Sequence, residues 1–241
     1  MKIKYFTLPN LLTLCNLACG VLATVCAVAS IWDTTISLKI PLLLILASAI
    51  FDFLDGFAAR LTGQYSELGV QLDSLADMVS FGVTPSLLLV AMFCSTEGIG
   101  WWWLLCLAVA LCSALRLARF NIDPEQKESF IGLPTPALAI AVGSLAWAME
   151  EGVLTLSPSI ILAISVVGAW LLISPLRMFS FKFKSFATRD NAVRYGFIIM
   201  ALTALIVGGL STLWCIIVLY ILTSIVVSIA EDCKAKRNTR A

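Results

Sequence analysis

The chain has 241 residues, of which 60% are hydrophobic and only 13% are charged, and its mean hydropathy is +0.98. A soluble domain is about 45–50% apolar and about 25% charged, so an ordinary soluble domain is excluded. The formal charge of +1 excludes a strongly basic nucleic-acid-binding domain. The absence of His excludes His general bases and Ser-His-Asp triads. The chain is therefore predicted to be an all-α, polytopic membrane protein whose chemistry uses carboxylates, basic groups, hydroxyls or thiols.

Eight apolar stretches approach the roughly 20 residues that a spanning helix needs. In chain order they are residues 8–31, 39–60, 70–93, 100–120, 133–149, 157–176, 194–211 and 213–230. Only Ser211 and Thr212 separate the last two, which predicts a tight helical hairpin. No other segment is long enough for a second domain. Residues 1–241 are therefore predicted to form one membrane domain, with catalytic helices within 39–93 and C-terminal helices at 157–230.

The distribution of charge predicts the orientation of these helices. If the chain starts in the cytoplasm and crosses the membrane eight times, every one of the 16 Lys and Arg residues except Lys39 falls on the cytoplasmic side. The opposite loops carry acidic residues, namely Asp33, Glu97, Glu150 and Glu151. The positive-inside rule then places both termini in the cytoplasm.

Acidic residues occur within two of the predicted spans. Asp52 and Asp55 are three residues apart and share a helix face with Arg60, while Asp73 and Asp77 share a face of the next helix. A short polar turn joins the two helices, so we expect antiparallel neighbours whose acidic faces converge. Asp52 precedes Arg60 by eight residues, about 12 Å of helix. The acids are therefore predicted to lie within the membrane profile near its cytoplasmic surface.

Four ionised carboxylates gathered there would repel one another and lose hydration. Mg²⁺ or Mn²⁺ bound through oxygen ligands offsets both costs, and Gly56 and Gly69 leave room for a ligand to approach the backbone. Interhelical salt bridges, a proton relay or the ion path of a cation transporter are alternatives. Acids near one face and no detected internal repeat disfavour the transporter.

The pattern DxxDGxxARx8GxxxDxxxD at residues 52–77 resembles the signature of the CDP-alcohol phosphotransferases, membrane enzymes of phospholipid synthesis. Three other segments are similar to the phosphatidylserine synthase branch: PNLLTLCNLACG at 9–20, LRLARFN at 115–121 and GLPTPA at 132–137. The resemblance implies transfer of a phosphatidyl group from CDP-diacylglycerol to L-serine, with release of CMP. A homodimer in the inner membrane of a prokaryote, with its active site facing the cytoplasm, is expected.

The resemblance also implies residue roles. Asp52, Asp55 and Asp73 would ligate two divalent ions, Mg²⁺ or Mn²⁺, and Asp77 would serve as ligand and general base. Contacts to the CDP-lipid are implied for Asn10, Thr13, Gly56, Arg60, Ser66 and Gly69. For Asn10 and Thr13, helix capping after Pro9 is an alternative.

Two arginines are candidates for binding the acceptor alcohol. Arg116 and Arg119, three residues apart on one helix, can hold the carboxylate of serine, although anchoring by the positive-inside rule explains either one alone. A phosphorylated acceptor such as glycerol 3-phosphate or an inositol phosphate is the alternative within the same class. The loop at 179–189 alternates aromatic and basic residues and is predicted to anchor the chain to anionic lipid.

Overall fold

A computed structural model describes residues 5–96, 99–123, 131–176, 178 and 192–238. These residues form helices and connecting loops, with no β-strand among them. The helices are α1 (Leu8–Trp32), α2 (Lys39–Thr62), α3 (Glu67–Asp77), a π-helix (Met78–Val83), α4 (Thr84–Ser95), a 3₁₀ helix (Gly100–Leu107), α5 (Ala108–Ile122), α6 (Thr135–Glu150), α7 (Pro158–Ile173), α8 (Ala192–Gly208), a 3₁₀ turn (Gly209–Thr212) and α9 (Leu213–Asn238). The predicted anchor at 179–189 lies outside the described residues.

The all-α prediction is confirmed over the described ranges, and the helix ends differ from the predicted ones by a few residues. The largest difference is in α9, which continues to Asn238, eight residues beyond the predicted end. Five helical segments are long and apolar enough to cross a membrane: Leu8–Trp32, Lys39–Thr62, Glu67–Ser95, Gly100–Ile122 and Gly196–Ser228. Helices α6 and α7 are apolar but shorter, with 16 residues each.

The segment that contains α8 and α9 folds back on itself, as the sequence predicts. The rings of Phe197 and Tyr220 lie edge to face with centroids 6.2 Å apart, whereas a straight helix would separate these residues by about 34 Å. Gly209 adopts a positive φ of 60° at the turn. The hydroxyl of Thr212 donates to the carbonyl of Ala204 at 3.0 Å and closes the turn.

Polar contacts bring together the loops between α1 and α2, between α6 and α7, and between α8 and α9. They meet at one end of the helical bundle, here called the far end. Lys39 forms an ion pair with Glu151 at 3.2 Å, and Ser37 donates to Glu150 at 2.7 Å. The 3₁₀ turn before α9 reaches the same end of α6, where the hydroxyl of Ser144 donates to the carbonyl of Leu210 at 2.7 Å. The loop before α2 and the acidic residues after α6 therefore meet at the far end, away from the carboxylates of α2 and α3.

Helix α1 is the centre of the arrangement around those carboxylates. It packs against α2, α3, the π-helix and α4, while α2 and α3 make hardly any direct backbone contact. The acidic side chains of α2 and α3 converge as predicted, and α1 contacts both helices. Close approach depends on Gly20, since a Cβ there would overlap the hydroxyl of Ser80.

The apolar core lies between α4, α6 and α7. Leu88, Met92 and Phe93 of α4 are almost completely buried, and they pack in one cluster with Val142 of α6 and Ile161 of α7. Because α4 is enclosed by other helices, it buries residues around most of its circumference. Helices α4 and α6 of this core also contact the π-helix, which continues directly from α3.

Candidate active site

Three of the four predicted acids form a compact cluster. Asp52, Asp55 and Asp73 each place one carboxylate oxygen within 4.8 Å of the others. Asp55 is 6% exposed, and Oδ1 of Asp73 is buried without a hydrogen-bond partner. No Lys or Arg side chain of the described residues forms an ion pair with these three. Converging carboxylate oxygens, one of them buried without a partner, are the donor set that a divalent cation requires, so the residues fit such an ion.

Asp77 lies one helical turn beyond Asp73 and outside this cluster. Its Oδ1 accepts a hydrogen bond from the side-chain amide of Asn16 at 3.2 Å. Its charge interacts with those of Asp52 and Asp73, and the guanidinium of Arg116 interacts with Asp77. Asp77 is therefore coupled by charge both to the carboxylate cluster and to one of the predicted acceptor residues.

Helix α1 supports the cluster through a contact that the sequence did not reveal. The hydroxyl of Thr13 lies 2.6 Å from Oδ2 of Asp55 and 3.1 Å from the carbonyl of Pro9. The N-cap of α1 is Thr7, whose side chain accepts from the backbone N–H of Asn10. Neither Asn10 nor Thr13 is therefore the N-cap of α1, and the side-chain amide of Asn10 donates to the carbonyl of Tyr5 before the helix at 2.9 Å.

A cleft of about 660 Å³ opens beside the carboxylate cluster. All six residues predicted to contact a CDP-lipid line it: Asn10, Thr13, Gly56, Arg60, Ser66 and Gly69. Gln64, Tyr65 and Phe120 also line the cleft. No individual role was predicted for them, although Phe120 belongs to the LRLARFN segment, because a single aromatic residue in an apolar membrane chain carries no signal of its own.

The two predicted glycines differ in their surroundings. A Cβ at Gly56 would meet nothing within 4 Å, so the backbone there is open to the cleft. A Cβ at Gly69 would lie 3.2 Å from the hydroxyl of Ser66 and 3.3 Å from Oδ1 of Asn10. Ser66 caps α3 by accepting from the backbone N–H of Gly69 at 3.0 Å. The Ser66 hydroxyl thus has a structural partner at the rim of the cleft.

Arg116 and Arg119 line a second, smaller cavity of about 290 Å³ together with Ser174. Nη1 of Arg116 donates to the hydroxyl of Thr135 at 3.4 Å, while its Nε is buried without a partner. Arg119 is more exposed and forms an ion pair with Asp123 at 3.5 Å. The two predicted acceptor residues therefore share one cavity, and the Nε–H of Arg116 has no hydrogen-bond acceptor there.

The segments LRLARFN and GLPTPA meet at this cavity through Arg116 and Thr135. Asn121 at the end of the first segment donates to Ser74 of α3 at 2.8 Å, which ties it to the helix of the catalytic acids. Gly132 opens the second segment with a φ of 78°. Its N–H donates to the carbonyl of Leu176 at 2.9 Å, which fixes the wall of the cavity.

Comparison with known proteins agrees with this geometry. The chain is 37% identical over 192 residues to a CDP-diacylglycerol–serine O-phosphatidyltransferase of Mycobacterium leprae, covering 76% of this chain and 63% of that protein. It is 35% identical over 178 residues to the protein of that name in Bacillus subtilis, covering 73% and 91%. It is 34% identical over 143 residues to an archaetidylserine synthase of Methanothermobacter thermautotrophicus, covering 58% of each.

The chain spans less than two thirds of the length of the first mycobacterial relatives, from 42% to 63%. A family model described as CDP-alcohol phosphatidyltransferase matches residues 6–173, which include the carboxylate cluster, the larger cleft, Arg116, Arg119 and the three motif segments. The chain belongs to the CDP-alcohol phosphatidyltransferase family.

Proposed function

We propose that this protein transfers a phosphatidyl group from CDP-diacylglycerol to L-serine and releases CMP. The observation that carries the proposal is that the cluster of Asp52, Asp55 and Asp73 borders a cleft of about 660 Å³ lined by the six residues implied for a CDP-lipid. The relatives support serine as acceptor, because two of those described above are named for transfer to serine and the third for archaetidylserine synthesis.

The carboxylate cluster is the proposed metal site. Asp52, Asp55 and Asp73, together with Asp77, would hold two divalent cations, Mg²⁺ or Mn²⁺. Bound ions of this kind neutralise the diphosphate and the departing CMP. Arg60 lines the same cleft and is free of any ion pair with the four aspartates, so its planar guanidinium is available to a diphosphate.

Asp77 is the proposed general base. In the reaction the serine hydroxyl oxygen forms a bond to the β-phosphorus while the bond from that phosphorus to the CMP oxygen breaks. The hydroxyl proton passes to Asp77, and CMP leaves with the bonding electron pair. Asp77 suits this role because it interacts electrostatically with both the acidic cluster and Arg116.

The cavity beside Arg116 is the proposed acceptor site. A carboxylate there can accept from the buried and unpartnered Nε of Arg116. Since Arg116 also interacts with Asp77, an amino acid bound by its carboxylate would present its hydroxyl toward the base. Glycerol 3-phosphate would compete for the same arginines, and it defines the alternative reaction within this family.

The proposal also covers membrane topology, domain organisation and oligomeric state. Eight helices would span the membrane, with both termini and the carboxylate cluster on the cytoplasmic side of a prokaryotic inner membrane. Residues 1–241 would act as one catalytic domain, and the enzyme would work as a homodimer. The contacts of Lys39 with Glu151 and of Ser37 with Glu150 support this topology, because they join predicted non-cytoplasmic loops at the far end.

The decisive experiment measures CMP release by the purified full chain in detergent, with CDP-diacylglycerol, Mg²⁺ and one acceptor at a time. We expect L-serine to support release and glycerol 3-phosphate not to. Arg116→Gln should raise the KM for serine with little change in the KM for CDP-diacylglycerol, whereas Lys39→Gln at the far end should change neither. Release driven by glycerol 3-phosphate and not by serine would contradict the proposal.

A further inference from the structure

Asn16 is a completely buried polar residue within the apolar helix α1. Its side-chain amide nitrogen donates to Oδ1 of Asp77 at 3.2 Å. Its side-chain oxygen accepts from the hydroxyl of Ser80 at 2.7 Å. Its backbone carbonyl lies 3.1 Å from the hydroxyls of both Ser48 and Ser80. Asn16 thus connects three helices at the carboxylate that stands next to the cluster.

The contact with Asp77 determines which way the amide points. An ionised carboxylate can only accept a hydrogen bond, so the NH₂ group faces Asp77, and the side-chain oxygen accepts from Ser80 at 2.7 Å. The hydrogen bond occupies Oδ1 of Asp77, and no hydrogen bond within the described part of the chain occupies Oδ2. The arrangement holds the carboxylate in one orientation and directs its second oxygen elsewhere.

The position of Ser80 adds a second observation. Ser80 lies in the π-helix that begins at Met78, directly after Asp77, and π-helical turns are rare and concentrated at functional sites. Gly20, one turn after Asn16, permits the close approach of α1 to this turn. A buried amide costs free energy unless it is hydrogen-bonded, and here each of its polar atoms has a partner around Asp77.

We propose that Asn16 is a positioning residue, which orients the carboxylate of Asp77 for proton abstraction while Ser80 holds the oxygen of its amide. The proposal rests on the proposed function, because it assigns Asn16 a task only if Asp77 is the base. Asn16 acts through Asp77 and does not touch the substrate.

The test uses Asn16→Leu, which has similar size and lacks the donor, and Ser80→Ala, which removes the group that holds the amide oxygen. We expect kcat to fall by about 10- to 100-fold in Asn16→Leu, as for other partners that orient a functional ligand. The KM for CDP-diacylglycerol should stay nearly constant. Ser80→Ala should lose less, because the amide still donates to Asp77 and only its oxygen loses a partner. Thr24→Val is the matched control, since Thr24 contacts Thr84 on the same face of α1, two turns away.

A double-mutant cycle with Asp77→Asn separates positioning from a merely structural role. If Asn16 acts through Asp77, Asn16→Leu should reduce kcat by no more than about twofold further in the Asp77→Asn background. Binding of CDP-diacylglycerol and of Mn²⁺, followed by electron paramagnetic resonance, should persist in Asn16→Leu. If that variant does not fold, the same cycle with Ser80→Ala decides.

Equal losses in the two backgrounds, or kcat unchanged in both single variants, would overturn the inference. Such results differ from failure of the proposed function, in which the unsubstituted protein would release no CMP with serine.

Discussion

Thr13 offers the sharpest test of how α1 contributes to the site. Its hydroxyl lies 2.6 Å from Oδ2 of Asp55, and Thr13→Val removes that donor while almost preserving the shape of the side chain. A hydrogen bond to a charged group contributes about 1.5–3 kcal/mol, equivalent to about 10- to 150-fold in an equilibrium constant. The hydroxyl has one proton and also lies 3.1 Å from the carbonyl of Pro9. We therefore expect the lower value, about 10-fold.

Loss of this hydrogen bond should raise the Mg²⁺ concentration that the enzyme requires. Thr13 supports a proposed metal ligand, so Thr13→Val should require about 10-fold more Mg²⁺ for half-maximal CMP release, with kcat at saturating Mg²⁺ much less affected. The assay is a Mg²⁺ titration of CMP release at fixed CDP-diacylglycerol and serine. Thr13→Ser keeps the donor and should restore most of the affinity, and Thr24→Val should resemble the unsubstituted protein.

Two results would refute this reasoning. An unchanged Mg²⁺ requirement in Thr13→Val would show that the bond to Asp55 does not support metal binding. A defect as large in Thr13→Ser as in Thr13→Val would show that the methyl group and its packing matter more than the hydroxyl.

Two further predictions concern the metal and the fold. EDTA should abolish CMP release and added Mg²⁺ or Mn²⁺ should restore it, because the carboxylates of the cluster have no cationic partner among the described residues; full activity in the chelator would contradict a metal site. Gly132→Ala should destabilise the protein by more than the roughly 1–3 kcal/mol of a strained backbone, since a Cβ there would also lie 2.5 Å from the carbonyl oxygen of Leu172. Gly152→Ala is the matched control for thermal unfolding, as it has a φ of 70° and open space around the Cβ; an equal loss in both variants would exclude the clash.

The spacing of acidic residues predicted more of the site than any other feature of the sequence. Helical periodicity places Asp52 and Asp55 on one face, and a polar turn reverses the chain before Asp73, so their meeting follows from local rules. The structure brings these three carboxylates together. The same rules predicted the helices and the hairpin before α9, because both depend on apolar runs and glycine.

Contacts between distant helices could not be predicted in the same way. The bonds from Thr13 to Asp55 and from Asn16 to Asp77 join residues 42 and 61 positions apart, and local periodicity contains no information on which helices pack together. A signal was present, since Thr13, Asn16 and Gly20 form a stripe of small and polar residues along an apolar helix. That stripe predicts a polar neighbour but not its identity.

The π-helix after Asp77 changes which side of the continuous helix formed by α3, the π-helix and α4 faces the cleft and which faces the core. Hydrogen bonding from residue i to i+5 holds about one residue more in a turn than an α-helix does, which shifts the phase of everything that follows by roughly 100°. The acidic side of α3 can thus face the cleft, while α4, continuous with it, is packed almost all round by other helices. Removal of one residue between Met78 and Val83 would bring the two halves back into phase. Either the carboxylates would then turn away from the cleft or the apolar side chains of α4 would leave the core. The extra residue therefore rotates α4 relative to α3 about their common axis. One continuous helix can in this way direct acidic residues into the cleft in its first half and apolar residues into the core in its second half.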